Sequence, residues 1–421
     1  MMKEQKNIIL LLILFIYLFT YLVPAFKAIP RTPGEQFYEP IWLLFALLIY
    51  PKLYFSRFFI ICFLFVIIDT LFWTFGVYNL ASDKLFFVGL DSYFRIIFIP
   101  VSFFIFSLYN LNFKIQKYLF IFLLSAITTT TLTSSIALQI FPYASRTISS
   151  SGTDEKAHLF YMALNIGGYG FAYMVAIVSP IYLYFYRHER KAKWLLMIAL
   201  STIYLIKAQL YGAILIFVIN LLAIIIITYF KINKLKTYLA AIIFSIFGGY
   251  FLKTFLGTIL LFVSDFFTDY EQIYIKTREI SYFLLEGSID DSSKSLLGYK
   301  ELKEISTKQF LESPIFGGKI STGHHFWIDY LARFGIVGII PYVLIISAFT
   351  LYINKLVSRK SFIIYINSLM LFIYIGIQKN ITSSMPLIIF FIVPFLLFYF
   401  DKQSRLAMKG TLSIRPQKIT T

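Results

Sequence analysis

Cysteine and charge are both scarce in this sequence. Only 14% of its 421 residues are charged, whereas roughly a quarter would be charged in a soluble domain. The single cysteine, Cys62, excludes an intrachain disulfide bond and a cysteine-based metal site. The sequence also has no Walker loop, no GxGxxG fingerprint, no HExxH motif and no Cys/His ligand set. We therefore predict no metal and no other cofactor, so the energy for any work comes from the substrate or an ion gradient.

Hydrophobic and basic residues are abundant instead. Hydrophobic residues make up 59% of the chain, and long apolar runs recur along nearly its whole length. This pattern is typical of an all-α, polytopic membrane helix bundle. Basic residues outnumber acidic ones by 38 to 21. They lie in short clusters between the apolar runs, as orientation signals do, so we do not expect nucleic acid as a partner.

Twelve apolar runs are candidate transmembrane helices. They lie at about 7–26, 39–55, 57–77, 93–110, 117–140, 159–186, 193–207, 210–230, 237–262, 328–353, 361–378 and 385–400. No small-residue cleavage site follows the first run, which we interpret as a retained helix and not a removed signal peptide. If the N-terminus is cytoplasmic, every cytoplasmic connection is rich in Lys and Arg, as the positive-inside rule requires. We predict a multi-pass protein with both termini cytoplasmic.

One connection is much longer than the others. The chain divides into helices one to nine (1–262), an external segment (263–327), helices ten to twelve (328–400) and a basic cytoplasmic tail (401–421). The external segment contains a helical stretch, EQIYIKTREISYFLLEG, and an amphipathic one, GYKELKEISTKQFLE, which we predict to lie on the membrane surface. Loops of this length with structure of their own are usually functional.

Two of the four histidines stand side by side at the end of this segment. His325, Asp329 and Arg333 are spaced i, i+4, i+8, which predicts one helical face. Such a face can position a hydroxyl, take its proton and hold a phosphate. Alternatively, Asp329 and Arg333 form an interfacial ion pair while the histidines lie among lipid headgroups. His324 is a candidate cap of the helix, where an anion would bind with Lys319 nearby.

Other residues are weaker candidates. Gly335 and Gly338 predict close packing of a neighbouring helix, and Asn165 is more typical of an interhelical hydrogen bond than of a ligand. Several basic residues on the predicted external side are candidates for binding an anion, and each has the alternative of a solvated or lipid-facing position. They are Arg146, Lys156, His158, Lys207, Lys276, Arg278, Lys300, Lys303 and Lys308.

The stretch ESPIFGGKISTGHHFWIDYLARFGIVGII resembles a bacterial family. It is similar to the pattern of polysaccharide repeat-unit polymerases of the Wzy type, in the O-antigen polymerase/ligase superfamily. His324 matches the family histidine and His325 takes a serine position. Where the family has an arginine before the amphipathic helix, this chain has SLLGYKELK, so Lys300 or Lys303 is the substitute. Where it has a Ser-Arg-Gly-like turn, this chain has KAQLYG, with Lys207.

The resemblance implies an enzyme of the bacterial cytoplasmic membrane. Such enzymes join undecaprenyl-pyrophosphate-linked oligosaccharide repeat units into surface polysaccharide on the external face, alongside a flippase and a chain-length regulator. It implies that His324 contacts phosphate or acceptor and that Asp329 or His325 is the base. Our candidates for binding the pyrophosphate are Arg278, Lys319, Arg333, Lys207, Arg146 and Lys300. The alternatives are an O-antigen ligase-type transferase and a flippase or other transporter, although we find no repeated halves.

Overall fold

The protein is described by a computed structural model. It describes residues 2–28, 60–61, 64, 99–109, 111–148, 155–230, 253–286, 294–318, 322, 324–379 and 384–413. Within these ranges the regular structure is helical throughout, and no strand occurs.

Ten helices precede residue 231 in the described ranges. They are α1 (Met2–Leu22), α2 (Pro24–Lys27), α3 (Ile99–Tyr109), α4 (Phe113–Ile140), α5 (Ala144–Thr147), α6 (Glu155–Ala163), α7 (Tyr169–Val178), α8 (Ile181–Glu189), α9 (Lys193–Ala208) and α10 (Tyr211–Tyr229).

The C-terminal part contains a helical hairpin and three long apolar helices. Its elements are α11 (Lys253–Ser264), a 3-10 turn (Asp265–Phe267), α12 (Glu271–Glu286), α13 (Lys294–Glu312), α14 (Phe326–Leu356), α15 (Arg359–Gln378), α16 (Ser384–Leu387), a π-helical turn (Ile388–Ile392) and α17 (Val393–Ser413). Both helices predicted within 263–327 are present, as α12 and α13.

The predicted all-α membrane fold is confirmed at a coarse level. Six helical stretches in the described residues are long and apolar enough to cross a membrane. The predicted count of twelve transmembrane helices is not confirmed. The predicted spans 39–55 and 57–77 lie almost entirely outside the described residues, and only the end of 237–262 falls within them, in α11.

The six stretches differ in how much of their surface other helices cover. In the stretch that contains α16 and α17, 89% of the apolar 18-residue window is buried by the rest of the protein, so this stretch lies at the centre of the bundle. In α14 only 33% of the corresponding window is buried. Its exposed apolar residues recur at helical spacing along one side and include Ile336, Ile340, Leu344 and Leu351. A stripe of this kind is stable where lipid covers it.

The predicted span 159–186 is not one helix. An irregular turn separates α6 from α7, and in it Asn165 has a φ of 58°. The Asn165 amide accepts a hydrogen bond from the Ala25 backbone N–H at 3.2 Å and donates to the Thr133 hydroxyl at 2.9 Å. These bonds replace helical ones at the break, so Asn165 has the interhelical role that its residue type favours.

α14 is interrupted at Gly335, whose φ of 61° and ψ of −162° are not helical. The turn that follows α13 fills this break. There the carbonyl oxygens of Pro314 and Ile315 accept hydrogen bonds from the backbone N–H groups of Ile336 and Val337, at 2.9 and 3.2 Å. The broken helix therefore keeps its backbone groups paired, as an apolar environment requires.

Glycine is needed on both sides of this contact. A Cβ at Gly335 would lie 2.2 Å from the Ile315 carbonyl oxygen. A Cβ at Gly317, where φ is 77°, would lie 2.2 Å from the Arg333 carbonyl oxygen. Gly335 thus admits the backbone of a turn, not the neighbouring helix that the sequence predicts.

Replacing Gly335 by alanine should destabilise the bundle. Its backbone region is essentially open only to glycine and costs other residues about 1–3 kcal/mol, and the added methyl group meets fixed backbone. Gly318→Ala is the matched control, because a Cβ there meets the end of the flexible Gln309 side chain. Thermal unfolding of the purified variants in detergent measures the difference. Equal unfolding temperatures for the two variants would contradict a required backbone contact at Gly335.

Candidate functional site

A cavity of about 550 Å³ lies where the ends of several helices meet. α5, α7, α10, α12, α13 and α15 contribute to it, together with the residue that precedes α14. Its lining residues are Arg146, Tyr169, Tyr173, Gln209, Leu210, Tyr211, Gly212, Leu215, Ile216, Lys276, Glu279, Ile280, Lys303, His325, Tyr374, Ile375, Gln378 and Lys379.

The cavity brings together chain segments that the charge-based topology places on one side of the membrane. These segments are the start of α7, the turn between α9 and α10, the start of α14 and the end of α15. The predicted external segment adds α12 and α13. Helix ends that are far apart in sequence therefore converge on one cavity.

The cavity is positively charged. Four basic residues line it, and Glu279 is the one acidic residue among its described lining residues. Glu279 pairs with Lys276 at 2.6 Å, one turn away on α12. The charges of Arg146, Lys303 and Lys379 are therefore not balanced by a carboxylate in the wall. An excess of this kind, in a recess with low-dielectric walls, attracts an anionic ligand.

Lys379 is the cation most firmly built into the site, and sequence analysis missed it. Its Nζ lies 5.9 Å from the ring centroids of both Tyr169 and Tyr173. Its backbone carbonyl accepts a hydrogen bond from the Phe326 N–H at 3.2 Å. Lys379 thus joins the end of α15 to the start of α14. Its one signal in the sequence is a lone lysine just after an apolar run, at an end predicted to be external.

His325 lines the same cavity and is only 3% exposed. Its ring Nδ1 lies 3.3 Å from the Ile377 carbonyl oxygen. A carbonyl oxygen can only accept, so this contact selects a ring with its proton on Nδ1. In the neutral form the basic lone pair then belongs to Nε2. The imidazole is thereby oriented for proton transfer.

His324 differs from its neighbour. It is exposed and does not line the cavity, and the N-cap position of α14 is occupied by His325, whose side chain makes no capping hydrogen bond. The resemblance puts the emphasis on His324, whereas the geometry puts it on His325. The reason is that α14 begins one residue later than a His324 cap would need. Lys319 lies outside the described residues.

Asp329 is 8% exposed and holds the start of α14 in place. Its Oδ2 accepts a hydrogen bond from the His325 backbone N–H at 2.7 Å. Its Oδ1 accepts from the Thr322 hydroxyl at 2.9 Å, from the Thr322 N–H at 3.2 Å, and from the Ser306 hydroxyl of α13. With four donors directed at it, this carboxylate is arranged as a tether and not as the base that was one sequence hypothesis.

The Asp329 tether also positions a cation of the cavity. Ser306 and Lys303 lie three residues apart on α13, so they are neighbours on one face of that helix. The bond from Ser306 to Asp329 therefore fixes both α13, which carries Lys303, and the backbone of His325. The Asp329 carboxylate therefore connects His325, the acid/base candidate, with Lys303, an anion-binding candidate.

The remaining candidates do not line the cavity. Arg333 lies over the Phe334 ring, 5.8 Å from its centroid. Arg278 donates to the hydroxyl groups of Tyr282 and Tyr274 on its own helix, and these bonds raise its pKa.

Two further lysines also fall outside the site. Lys207 lies in the last turn of α9, and Gln209, two residues later, lines the cavity instead. Lys300 lies in α13, but its side chain is outside the described part of the structure. The KAQLYG turn is therefore part of the site through Gln209 and Gly212, and not through its lysine.

Comparison with known proteins adds no identification. No family model matches the chain, and no curated protein or solved structure matches it either.

Replacing Asp329 by asparagine should lower stability, because hydrogen bonds to a charged group contribute about 1.5–3 kcal/mol each. Asp265→Asn is the matched control, since Asp265 is exposed in the 3-10 turn. The free energy of unfolding in detergent should fall for the first variant only. If Asp329→Asn unfolds like the wild type, Asp329 is not a tether, and its role as a base stays open to a test of function.

Proposed function

We propose that the protein transfers a glycan from a polyprenyl pyrophosphate carrier to a sugar hydroxyl, as a repeat-unit polymerase of the bacterial cytoplasmic membrane. The observation that carries the proposal is one cavity that is lined both by Arg146, Lys303 and Lys379 and by His325, which is buried. The cations suit a pyrophosphate, and the imidazole suits proton transfer. The sequence resemblance supplies the substrate class.

The basic residues stabilise the leaving group in this proposal. Transfer breaks the bond between the anomeric carbon and the phosphate oxygen, and its electron pair leaves with the lipid pyrophosphate. Arg146, Lys303 and Lys379 neutralise the charge that develops on that oxygen. They come from three separate elements, so the groups that bind the leaving group surround it from different sides.

His325 activates the acceptor. Nε2 takes the proton from the acceptor hydroxyl as its oxygen forms the new glycosidic bond to the anomeric carbon. The imidazolium that results is stabilised by its Nδ1–H bond to the Ile377 carbonyl oxygen, and it loses its proton to water afterwards. Neither step requires a group outside the cavity.

The site bears differently on the two alternatives. A ligase uses the same chemistry on another acceptor, and the cavity does not distinguish it from a polymerase. Transporters of several folds place broken helices around the substrate. Here the break in α14 is filled by the turn after α13, and no residue from 331 to 338 lines the cavity. The broken helix therefore does not favour a transporter.

His325→Gln should abolish polymer formation, because general acid–base groups contribute about 10²–10⁴-fold in rate. His324→Gln, which changes an exposed neighbour, should leave the polymer ladder intact. The measurement is the ladder and the pool of lipid-linked repeat units in cells that rely on the variant. Accumulated single repeats indicate a polymerase, and accumulated long lipid-linked polymer indicates a ligase. A lost ladder in His324→Gln with a normal one in His325→Gln would overturn the assignment.

Inorganic pyrophosphate should stabilise the purified protein, by about 2.7 kcal/mol at a concentration of 100 Kd. Arg146→Ala and Lys379→Ala should each weaken its binding by about tenfold or more, since hydrogen bonds to charged groups contribute about 1.5–3 kcal/mol. Lys207→Ala and Arg278→Ala serve as controls, because neither residue lines the cavity. Thermal unfolding in detergent with increasing pyrophosphate gives the affinities. Equal weakening in all four variants would show that binding depends on net charge and not on the cavity.

A further inference from the structure

An amide in the cavity wall has an acceptor with no donor. Gln209 is 7% exposed and lines the cavity. Its Oε1 is buried and accepts no hydrogen bond from any residue that the structure describes. Buried acceptors are nearly always paired, so an unpaired one on a residue that lines a cavity points to a donor that the ligand brings.

The backbone at Gln209 strengthens this point. Gln209 ends α9 in the left-handed conformation, with φ 51° and ψ 35°. Glycine adopts this conformation at helix ends without strain and is the usual residue there. A long side chain is therefore present where the backbone alone would favour none. The amide group, and not the turn, accounts for a glutamine here.

The turn that carries Gln209 leads into a part of α10 that lies against Lys379. At Gly212, three residues later, a Cβ would lie 3.4 Å from Lys379 Nζ and 2.5 Å from the Tyr173 hydroxyl oxygen. The acceptor and the cation thus belong to adjoining parts of the wall. The oxygens of an ionised pyrophosphate that is esterified at both ends only accept, so Oε1 of Gln209 cannot hydrogen-bond to the anion that Lys379 attracts. It requires an O–H or N–H group close to that anion.

We infer that Gln209 Oε1 accepts a hydrogen bond from the sugar that is attached directly to the pyrophosphate, while Lys379 holds the phosphate. The inference rests on the proposed function and adds a specificity-determining residue to it. Tyr169, Tyr173, Tyr211 and Tyr374 also line the cavity, so aromatic faces are available to flank a sugar ring. Gln209 selects for a ligand with a donor group at that position.

The test compares anions with and without a sugar. The probes are inorganic phosphate, glucose 1-phosphate, galactose 1-phosphate and N-acetylglucosamine 1-phosphate, with affinities from thermal unfolding of the full-length protein in detergent. The variants are Gln209→Met, which keeps the side-chain length, and Gln209→Gly, which suits the left-handed backbone and so protects folding. The matched control is Gln139→Met, at an exposed glutamine of α4 that does not line the cavity.

We expect the wild type to prefer at least one sugar phosphate over inorganic phosphate. One neutral hydrogen bond corresponds to about fivefold in Kd, so both Gln209 variants should lose about that much of the preference. Gln139→Met should keep the preference. Inorganic phosphate should bind all of the variants as it binds the wild type.

Three results would overturn the inference. The first is that the Gln209 variants keep the full preference for a sugar phosphate. The second is that the wild type prefers none of the three sugar phosphates. The third is that binding of inorganic phosphate itself falls in the Gln209 variants, which would mean that the amide contacts the phosphate and not the sugar. Each of these leaves the proposed function intact. If none of the four anions binds the wild type, the proposed function fails together with the inference.

Discussion

The buried carboxylate of Asp329 imposes the geometry on which the site depends. A charge in an apolar bundle is stable only when hydrogen bonds occupy its oxygens. Asp329 obtains them from three separate places, the hydroxyl of Ser306 on α13, residue Thr322 and the backbone N–H of His325. These three places cannot move independently without leaving the carboxylate short of hydrogen bonds. Satisfying one charge therefore fixes where α13 meets α14.

A second buried carboxylate is also satisfied by hydrogen bonds at the start of a helix. Asp401, near the other end of the bundle, accepts hydrogen bonds from the Ser358 backbone N–H and the Ser361 hydroxyl at the start of α15, and from Tyr184. Both acids lie against the first turn of a helix, where backbone N–H groups lack intrahelical partners. In both places the chain satisfies a buried charge where a helix begins and its backbone N–H groups are available.

The sequence was sufficient for features that depend on local pattern. Apolar runs identify the membrane helices, and amphipathic spacing identifies α12 and α13, because both signals lie within one helix. The site was only partly predictable. The spacing of His325 and Asp329 singled out the start of α14, but Lys379 and Gln209 gave almost no signal. Their importance arises from which helix ends meet, and no local pattern encodes that. The break at Gly335 was missed for the same reason, since its partner is a turn.

The origins of the cavity residues indicate how the site is assembled. His325, Lys379 and Gln209 come from the ends of long helices or the turn between them, whereas Lys276 and Lys303 come from α12 and α13 of the 263–327 segment. Displacing that segment would remove positive charge from the cavity but leave the imidazole in the bundle. Asp329 opposes such a displacement, because Ser306 would have to release a buried charge. The backbone contact at Gly335 opposes it a second time. Groups fixed twice in this way are held in position before a ligand arrives, which is what stabilisation of developing charge requires.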